Sequence, residues 1–251
     1  MVQSILLGLQ DQSDLSEWMI FSPSGTSAAK LAELVGARHI TDLDQVGSID
    51  FVLIGCKPQQ LQSLKATIGD RFQGSVFVSL LAAVSEANQR SIIGEAPIIR
   101  CMPNLPVEFK KGVILLSSNS AGEKLDFFRH FFSVLGTSMI VSEVVLEELT
   151  LLTGSGPALF YEFTQILSES FGSLDQADRE RLARAVLIGA AKTVEKDQAS
   201  LPFLKDKVTS KGGVTIAVLE AWRSSGFADI IRKGIEHGKL RSKEIRDLIR
   251  N

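Results

Sequence analysis

The feature that most constrains this chain is a change of hydrophobic rhythm near residue 141. Before it, short apolar runs at 18–21, 51–55, 76–81, 98–102 and 138–141 alternate with amphipathic stretches at 27–35, 59–68, 85–93 and 123–135. Strand-length runs separated by helical patterns and by Gly and Pro punctuation predict βαβ units around an open parallel sheet. After it, apolar residues recur at three- and four-residue steps, as in Leu159, Phe163, Ile166 and in Leu182, Val186, Gly189, Thr193. That is the period of an α-helix. The expected architecture is an α/β domain over 1–143 followed by an all-helical domain over 144–251. No Gly/Ser-rich linker lies near 141–147, so the join is expected to be tight. Helices with broad apolar faces in so small a domain must bury them, and the matching domain of a second copy is the economical partner. A homodimer or higher homo-oligomer is expected.

Charge and cysteine usage narrow the function classes. A formal charge of −2 gives no overall field to draw the protein to nucleic acid or an anionic membrane. Cys56 and Cys101 lie in apolar, strand-like segments with no CxxC pair or Cys/His cluster, which predicts buried thiols and no metal site. The apolar runs at 98–103 and 113–116 fall far short of the roughly 20 residues that span a bilayer. The first ten residues lack a signal-peptide pattern, so a cytoplasmic enzyme or binding protein is expected.

Three segments carry candidate chemistry. Arg100-Cys101-Met102-Pro103-Asn104-Leu105-Pro106 is an apolar strand running into two prolines. In an open α/β sheet, ligands bind beyond the carboxyl ends of the strands, so this loop is placed to line a nicotinamide pocket; taken alone it reads first as a rigid turn. In Thr153-Gly154-Ser155-Gly156-Pro157-Ala158, the proline predicts a helix restart, or else a kink. It is not a serine-hydrolase elbow, because Thr153 and Pro157 stand where Gly-x-Ser-x-Gly needs glycines. Val208-Thr209-Ser210-Lys211-Gly212-Gly213-Val214-Thr215-Ile216-Ala217 leads into an apolar helix. Free N–H groups at such a helix start seat a carboxylate, although a plain N-cap has the same look.

The order of these segments resembles the pyrroline-5-carboxylate reductase family. Further likenesses are Cys56-Lys57-Pro58-Gln59, Ser79-Leu80-Leu81-Ala82-Ala83-Val84, Gly226-Phe227 and the late Arg241-Ser242-x-Glu244. The resemblance covers nearly the whole chain and implies a Rossmann-like domain followed by a helical dimerisation domain. It also implies hydride transfer from NADPH, with NADH possible, to the cyclic imine 1-pyrroline-5-carboxylate, giving L-proline. Residue by residue, Thr215 matches the threonine that hydrogen-bonds the ring nitrogen. Ser210, Gly212, Gly213 and Val214 match the carboxylate seat. Ser22, Ser24, Cys56, Lys57, Pro58, Met102, Pro103 and Asn104 fall on the cofactor side. None of His39, His130 and His237 sits in a motif.

The chain also departs from the family. Family members open with a strand and a Gly-x-Gly-Asn-Met-Ala turn, of which Met1-Val2-Gln3-Ser4 matches only the tail. No Gly-x-Gly-x-x-Gly occurs among the twenty glycines. The first strand of the sheet is therefore missing, and the natural protein is expected to start upstream. Lys211 stands where Pro is usual, Leu105 where Thr is common and Ala83 where Gly is common. Phe21-Ser22-Pro23-Ser24 offers hydroxyls and no acid to grip a ribose 2′-OH, which favours NADP over NAD. Two other readings stay open. One is a reductase of a related cyclic imine, and the other is a non-catalytic dimer that binds small acids or partner proteins.

Overall fold

The computed structural model describes residues 1–11, 14–23 and 25–250. The chain opens with α1 (Val2–Leu9) and continues through β1 (Met19–Ile20), α2 (Thr26–Val35), β2 (Arg38–His39), β3 (Phe51–Ile54) and α3 (Leu61–Ile68). Then come β4 (Val76–Ser79), α4 (Glu86–Ile93), β5 (Ile98–Pro103), β6 (Gly112–Ser117), α5 (Lys124–Phe132) and β7 (Gly136–Ile140). The helical remainder is α6 (Glu143–Glu169), α7 (Gln176–Lys196), α8 (Leu201–Lys207), α9 (Val214–Ser224) and α10 (Phe227–Arg250).

The strands form a five-stranded sheet in the order β3-β4-β5-β6-β7 and a separate two-stranded sheet, β1-β2. Every pairing is parallel except β5 with β6. Alternation along the strands divides the core between two faces. Val76, Val78, Ile99 and Cys101 point to the face covered by Ile5, Leu6 and Leu9 of α1 and by Phe128 and Phe132 of α5. Phe77 and Ile98 point to the other, with Leu61 and Ile68 of α3 and Ile93 of α4. Helices on both faces of a mostly parallel sheet are the α/β architecture that the rhythm predicts.

Local signals explain individual elements. Helix α4 starts where the Ser85 hydroxyl accepts from the Asn88 N–H at 3.2 Å and stops at Gly94, whose φ is +110°. β6 and β7 begin in register at Gly112 and Gly136. A Cβ on Gly136 would collide with the Gly112 backbone, and its φ of +138° also demands glycine there.

Ala83, in the turn after β4, holds a φ of +62°. An L-residue pays a steric penalty there that glycine avoids. Ala83→Gly is therefore expected to raise the unfolding free energy by about 0.5–1 kcal/mol, the relief outweighing glycine's entropy. Urea denaturation checks this, and an unchanged or lower midpoint would count against strain at that turn.

The periodicity predicts a helical second half, and α6 to α10 follow. It does not predict α1, β2 or β6. The proline of the Gly-Ser-Gly-Pro segment does not restart a helix: α6 runs unbroken through Pro157 for 27 residues. The chain divides into two compact units, Met1–Gly154 joined by the end of α10 from Arg241, and Ser155–Leu240. The first turns of α6 belong to the former, where Leu146 and Leu149 pack with Met102, Val113 and Leu115.

Candidate functional site

In the first unit, parallel pairing brings the carboxyl ends of β3, β4 and β5 to one edge of the sheet. The loops Gly55–Pro58 and Leu80–Ala83 and the turn at Met102–Asn104 therefore share that edge, where open α/β sheets bind ligands. Helix α1 starts there too, since a Cβ on Gly55 would run into the Val2 side chain. The first helical bond of α1 is Ile5 N to Met1 O at 3.1 Å, and no side chain caps the helix. The N–H groups of Val2, Gln3 and Ser4 are thus available to an anion.

The residues placed on the cofactor side divide as follows. Met102 and Asn104 are buried, Cys56, Pro58 and Pro103 are half-buried, and Lys57 is exposed. Burial pushes the Cys56 thiol above its ordinary pKa against a smaller opposing backbone hydrogen bond, so it is a neutral group. The Lys57 N–H donates to Gln60 Oε1 at 2.9 Å and starts a turn with Pro58. Ser22, after β1, pairs its hydroxyl with that of Ser27 at 3.4 Å. Ser24 lies outside the described residues. Asn104 is tied at both ends, donating from Nδ2 to the Thr153 carbonyl at 2.8 Å and accepting at Oδ1 from the Val113 N–H at 2.9 Å.

In the second unit, the loop ahead of α9 borders an open pocket of about 420 Å³ lined by Asp206, Thr209, Ser210, Lys211, Gly212, Ile216 and Glu220. Gly212 turns the chain with a φ of +72°. The Gly213 N–H then donates to Ser210 O at 3.0 Å, and a Cβ on Gly213 would strike the Ser210 hydroxyl. The positive φ requires glycine at 212, and at 213 a side chain would displace the Ser210 hydroxyl. Gly213 caps α9 without a side chain, and the first helical bond is Ala217 N to Gly213 O at 3.4 Å. The N–H groups of Val214, Thr215 and Ile216 precede it and carry the positive end of the helix dipole.

Of the sequence-predicted substrate residues, Ser210 and Gly212 line the pocket, while Gly213, Val214 and Thr215 form the turn and helix start beside it. Asp206 and Glu220 were not singled out from sequence, and Thr209 stood in the candidate segment without a role of its own. Helical spacing gives the signal for one of them, because Glu220 is four residues beyond Ile216 on the same face of α9. The three histidines are exposed and belong to neither group.

The second unit also shows large apolar side chains at its surface. No residue of α7, α8 or α9 is buried, and Val186, Ile188, Leu201 and Val214 are each more than 60% exposed. Phe163, Trp222 and Phe227 form its internal aromatic cluster, with centroids 5.3–6.4 Å apart. Among the described residues no helix is long and apolar enough to cross a membrane.

Residues 143–245 match the family described as pyrroline-5-carboxylate reductase dimerisation, and residues 1–83 match that described as NADP oxidoreductase, coenzyme F420-dependent. The pyrroline-5-carboxylate reductase of Staphylococcus saprophyticus is 30% identical over 230 residues, spanning 86% of this chain and 84% of the relative. The solved pyrroline-5-carboxylate reductase of Coxiella burnetii superposes with a TM-score of 0.86 at 23% identity, over 97% of this chain and 94% of that one. The pyrroline carboxylate reductase of Plasmodium falciparum, solved with NADP bound, gives 0.81 at 18% identity, over 97% and 93%.

Proposed function

The chain belongs to the pyrroline-5-carboxylate reductase family, and from that premise we propose how its residues reduce 1-pyrroline-5-carboxylate to L-proline, with NADPH preferred to NADH. The observation that carries the reading is the glycine turn at Gly212–Gly213, which presents Ser210 and the uncapped start of α9 beside one pocket. Residues 1–143 serve as the dinucleotide-binding domain, and 144–251 as the dimerisation and substrate-binding domain.

The residues of the sheet edge fit a nicotinamide dinucleotide. The uncapped start of α1 suits the pyrophosphate, and Ser22 suits the adenosine ribose or its phosphate, with no acid in residues 21–23 to repel it. Cys56, Lys57, Pro58, Met102 and Pro103 border the nicotinamide end. When bound, the reduced nicotinamide supplies the hydride.

In the substrate loop, the Val214 N–H and the Ser210 hydroxyl hold the carboxylate, aided by the helix dipole, over the turn that Gly212 and Gly213 form. The Thr215 hydroxyl bonds the ring nitrogen, donating to a neutral imine or accepting from a protonated one. Lys211 on the same wall adds attraction for the carboxylate, while Asp206 and Glu220 favour a protonated ring nitrogen. Hydride addition to the imine carbon with protonation of nitrogen then yields the secondary amine. Orientation and modest charge complementarity suffice for this chemistry. The exposed apolar faces of α7 to α9 are covered by a second copy, making the working unit a homodimer or higher homo-oligomer.

The test is titration of the purified chain with NADPH and NADH by fluorescence, followed by NADPH oxidation with racemic 1-pyrroline-5-carboxylate and chiral analysis of proline. Saturable NADPH binding with L-proline as product is expected. Lack of binding to either cofactor at millimolar concentration would overturn the reading. Lys211 favours one alternative, a related cyclic imino acid, and the six-membered homologue in the same assay would reveal it by a higher kcat/KM.

A further inference from the structure

The carbonyl of Thr153 has an unusual partner. A carbonyl inside an α-helix ordinarily accepts from the N–H four residues later. Four residues after Thr153 stands Pro157, which lies inside α6 and has no N–H. Asn104, at the end of β5, takes over that role by donating from Nδ2 to Thr153 O at 2.8 Å. The other end of the same amide accepts from the Val113 N–H at the start of β6, at 2.9 Å. These partners fix which end is oxygen and which nitrogen, because the carbonyl needs a donor and the N–H an acceptor. Asn104 is only 6% exposed, so water offers little substitute for either bond.

We propose that Asn104 is a positioning residue for the reduction: its amide ties the loop after β5 to α6 at the carbonyl that Pro157 leaves open, and thereby fixes Met102 and Pro103. The proposal rests on the reading of Met102 and Pro103 as the nicotinamide border. Val107 anchors the far side of this loop in the core with α1, while Asn104 ties its near side to α6. In the turn Leu105–Phe109 only Val107 is buried, while Leu105 and Phe109 are exposed. The strut joins two motifs that are separate in sequence. The proline of Gly-Ser-Gly-Pro creates an acceptor, and the asparagine of Met-Pro-Asn supplies the donor. Leucine or alanine at 104 supplies neither bond, and aspartate keeps only the one from Val113.

A double-mutant cycle of Asn104→Ala and Pro157→Ala tests this, read by thermal midpoint, amide hydrogen exchange, NADPH titration and steady-state kinetics. Asn104→Ala alone is expected to lower the midpoint by about 3–8 °C. It should also speed exchange over residues 104–113 and reduce kcat/KM about tenfold or more through lost orientation. In the Pro157→Ala background the new N–H can bond the Thr153 carbonyl. There, Asn104→Ala should cost no more than about half as many degrees, while its penalties on loop exchange and kcat/KM persist undiminished. The proposal is overturned if the kinetic penalty shrinks in step with the thermal one, or if Asn104→Ala leaves loop exchange, kcat and KM unchanged. In a wild-type protein that neither binds nor oxidises NADPH, the reductase reading falls, and loop exchange alone decides whether Asn104 holds the loop.

Discussion

Arg100→Met is expected to destabilise the first unit by about 3 kcal/mol, near the low end for removing one partner of a buried ion pair. Arg100 sits inside β5 with its side chain 1% exposed. Its Nη1 donates to Glu143 Oε1 at 2.8 Å and to Glu147 Oε1 at 3.1 Å. Those acids are one helical turn apart on α6 and so face the same way. Glu147 also meets Arg246 of α10 at 3.2 Å, and Glu143 accepts from the Glu86 N–H at 2.7 Å. Arg100 holds the two acids of α6 that in turn meet the start of α4 and the end of α10.

Methionine keeps the apolar volume but, among the described residues, leaves Glu143 without a cationic partner and Glu147 with Arg246 alone. About a quarter of each acid remains exposed, so partial rehydration places the loss at the lower end of the range. Adding Glu143→Gln to Arg100→Met should recover part of it by removing an uncompensated charge. Arg100→Lys should remain destabilised, since an ammonium does not reproduce a guanidinium's planar fork. Urea unfolding reads the effect as a lower midpoint with an unchanged slope. A loss below about 1 kcal/mol would mean that packing, and not the ion pairs, holds these elements together.

How much of this was legible in the sequence depends on range. The change of period near residue 141 is a local property repeated many times, and it correctly announces α6 to α10. The continuous apolar run of β4 announces a strand buried on both faces. β6 escaped because it returns from β5 after only the short turn Leu105–Phe109, whereas the βαβ pattern leads one to expect a helix between strands. β2 is the polar pair Arg38–His39, with no hydrophobic signal at all. α1 is eight residues long and too apolar for its helical face to stand out. The Gly212–Gly213 turn could be found because glycine marks backbone geometry directly. Asp206 could not, because an acid on a pocket wall has the same sequence signature as one on any solvated face. The Asn104–Thr153 bond spans 49 residues and depends on a missing N–H at Pro157. Its local half, a proline four residues after a carbonyl, is readable, but its donor is not.

Thr215→Ala is expected to lower kcat/KM about a hundredfold while leaving the fold intact, the size typical of losing one well-placed group that exchanges or bonds a proton in the transition state. Thr215 is the second residue of α9 and is exposed, and its hydroxyl makes no hydrogen bond to the described residues. No structural partner is lost when it is removed. Alanine is also the better helix former, so the thermal midpoint should hold or rise slightly. The proposed carboxylate seat, at Ser210, Gly213 and Val214, is left in place by the substitution, and the loss should therefore fall mainly on kcat with a smaller change in KM. NADPH affinity should not change, because the hydroxyl is assigned to the ring nitrogen and not to the cofactor. Thr215→Ser keeps the oxygen and should retain most activity, whereas Thr215→Val keeps the shape without the oxygen and should resemble alanine. These three variants separate hydrogen bonding from packing. If valine were as active as serine, or if alanine stayed within about threefold of wild type, the ring nitrogen would need another partner, and Lys211 or Glu220 on the pocket wall would be the next side chains to change.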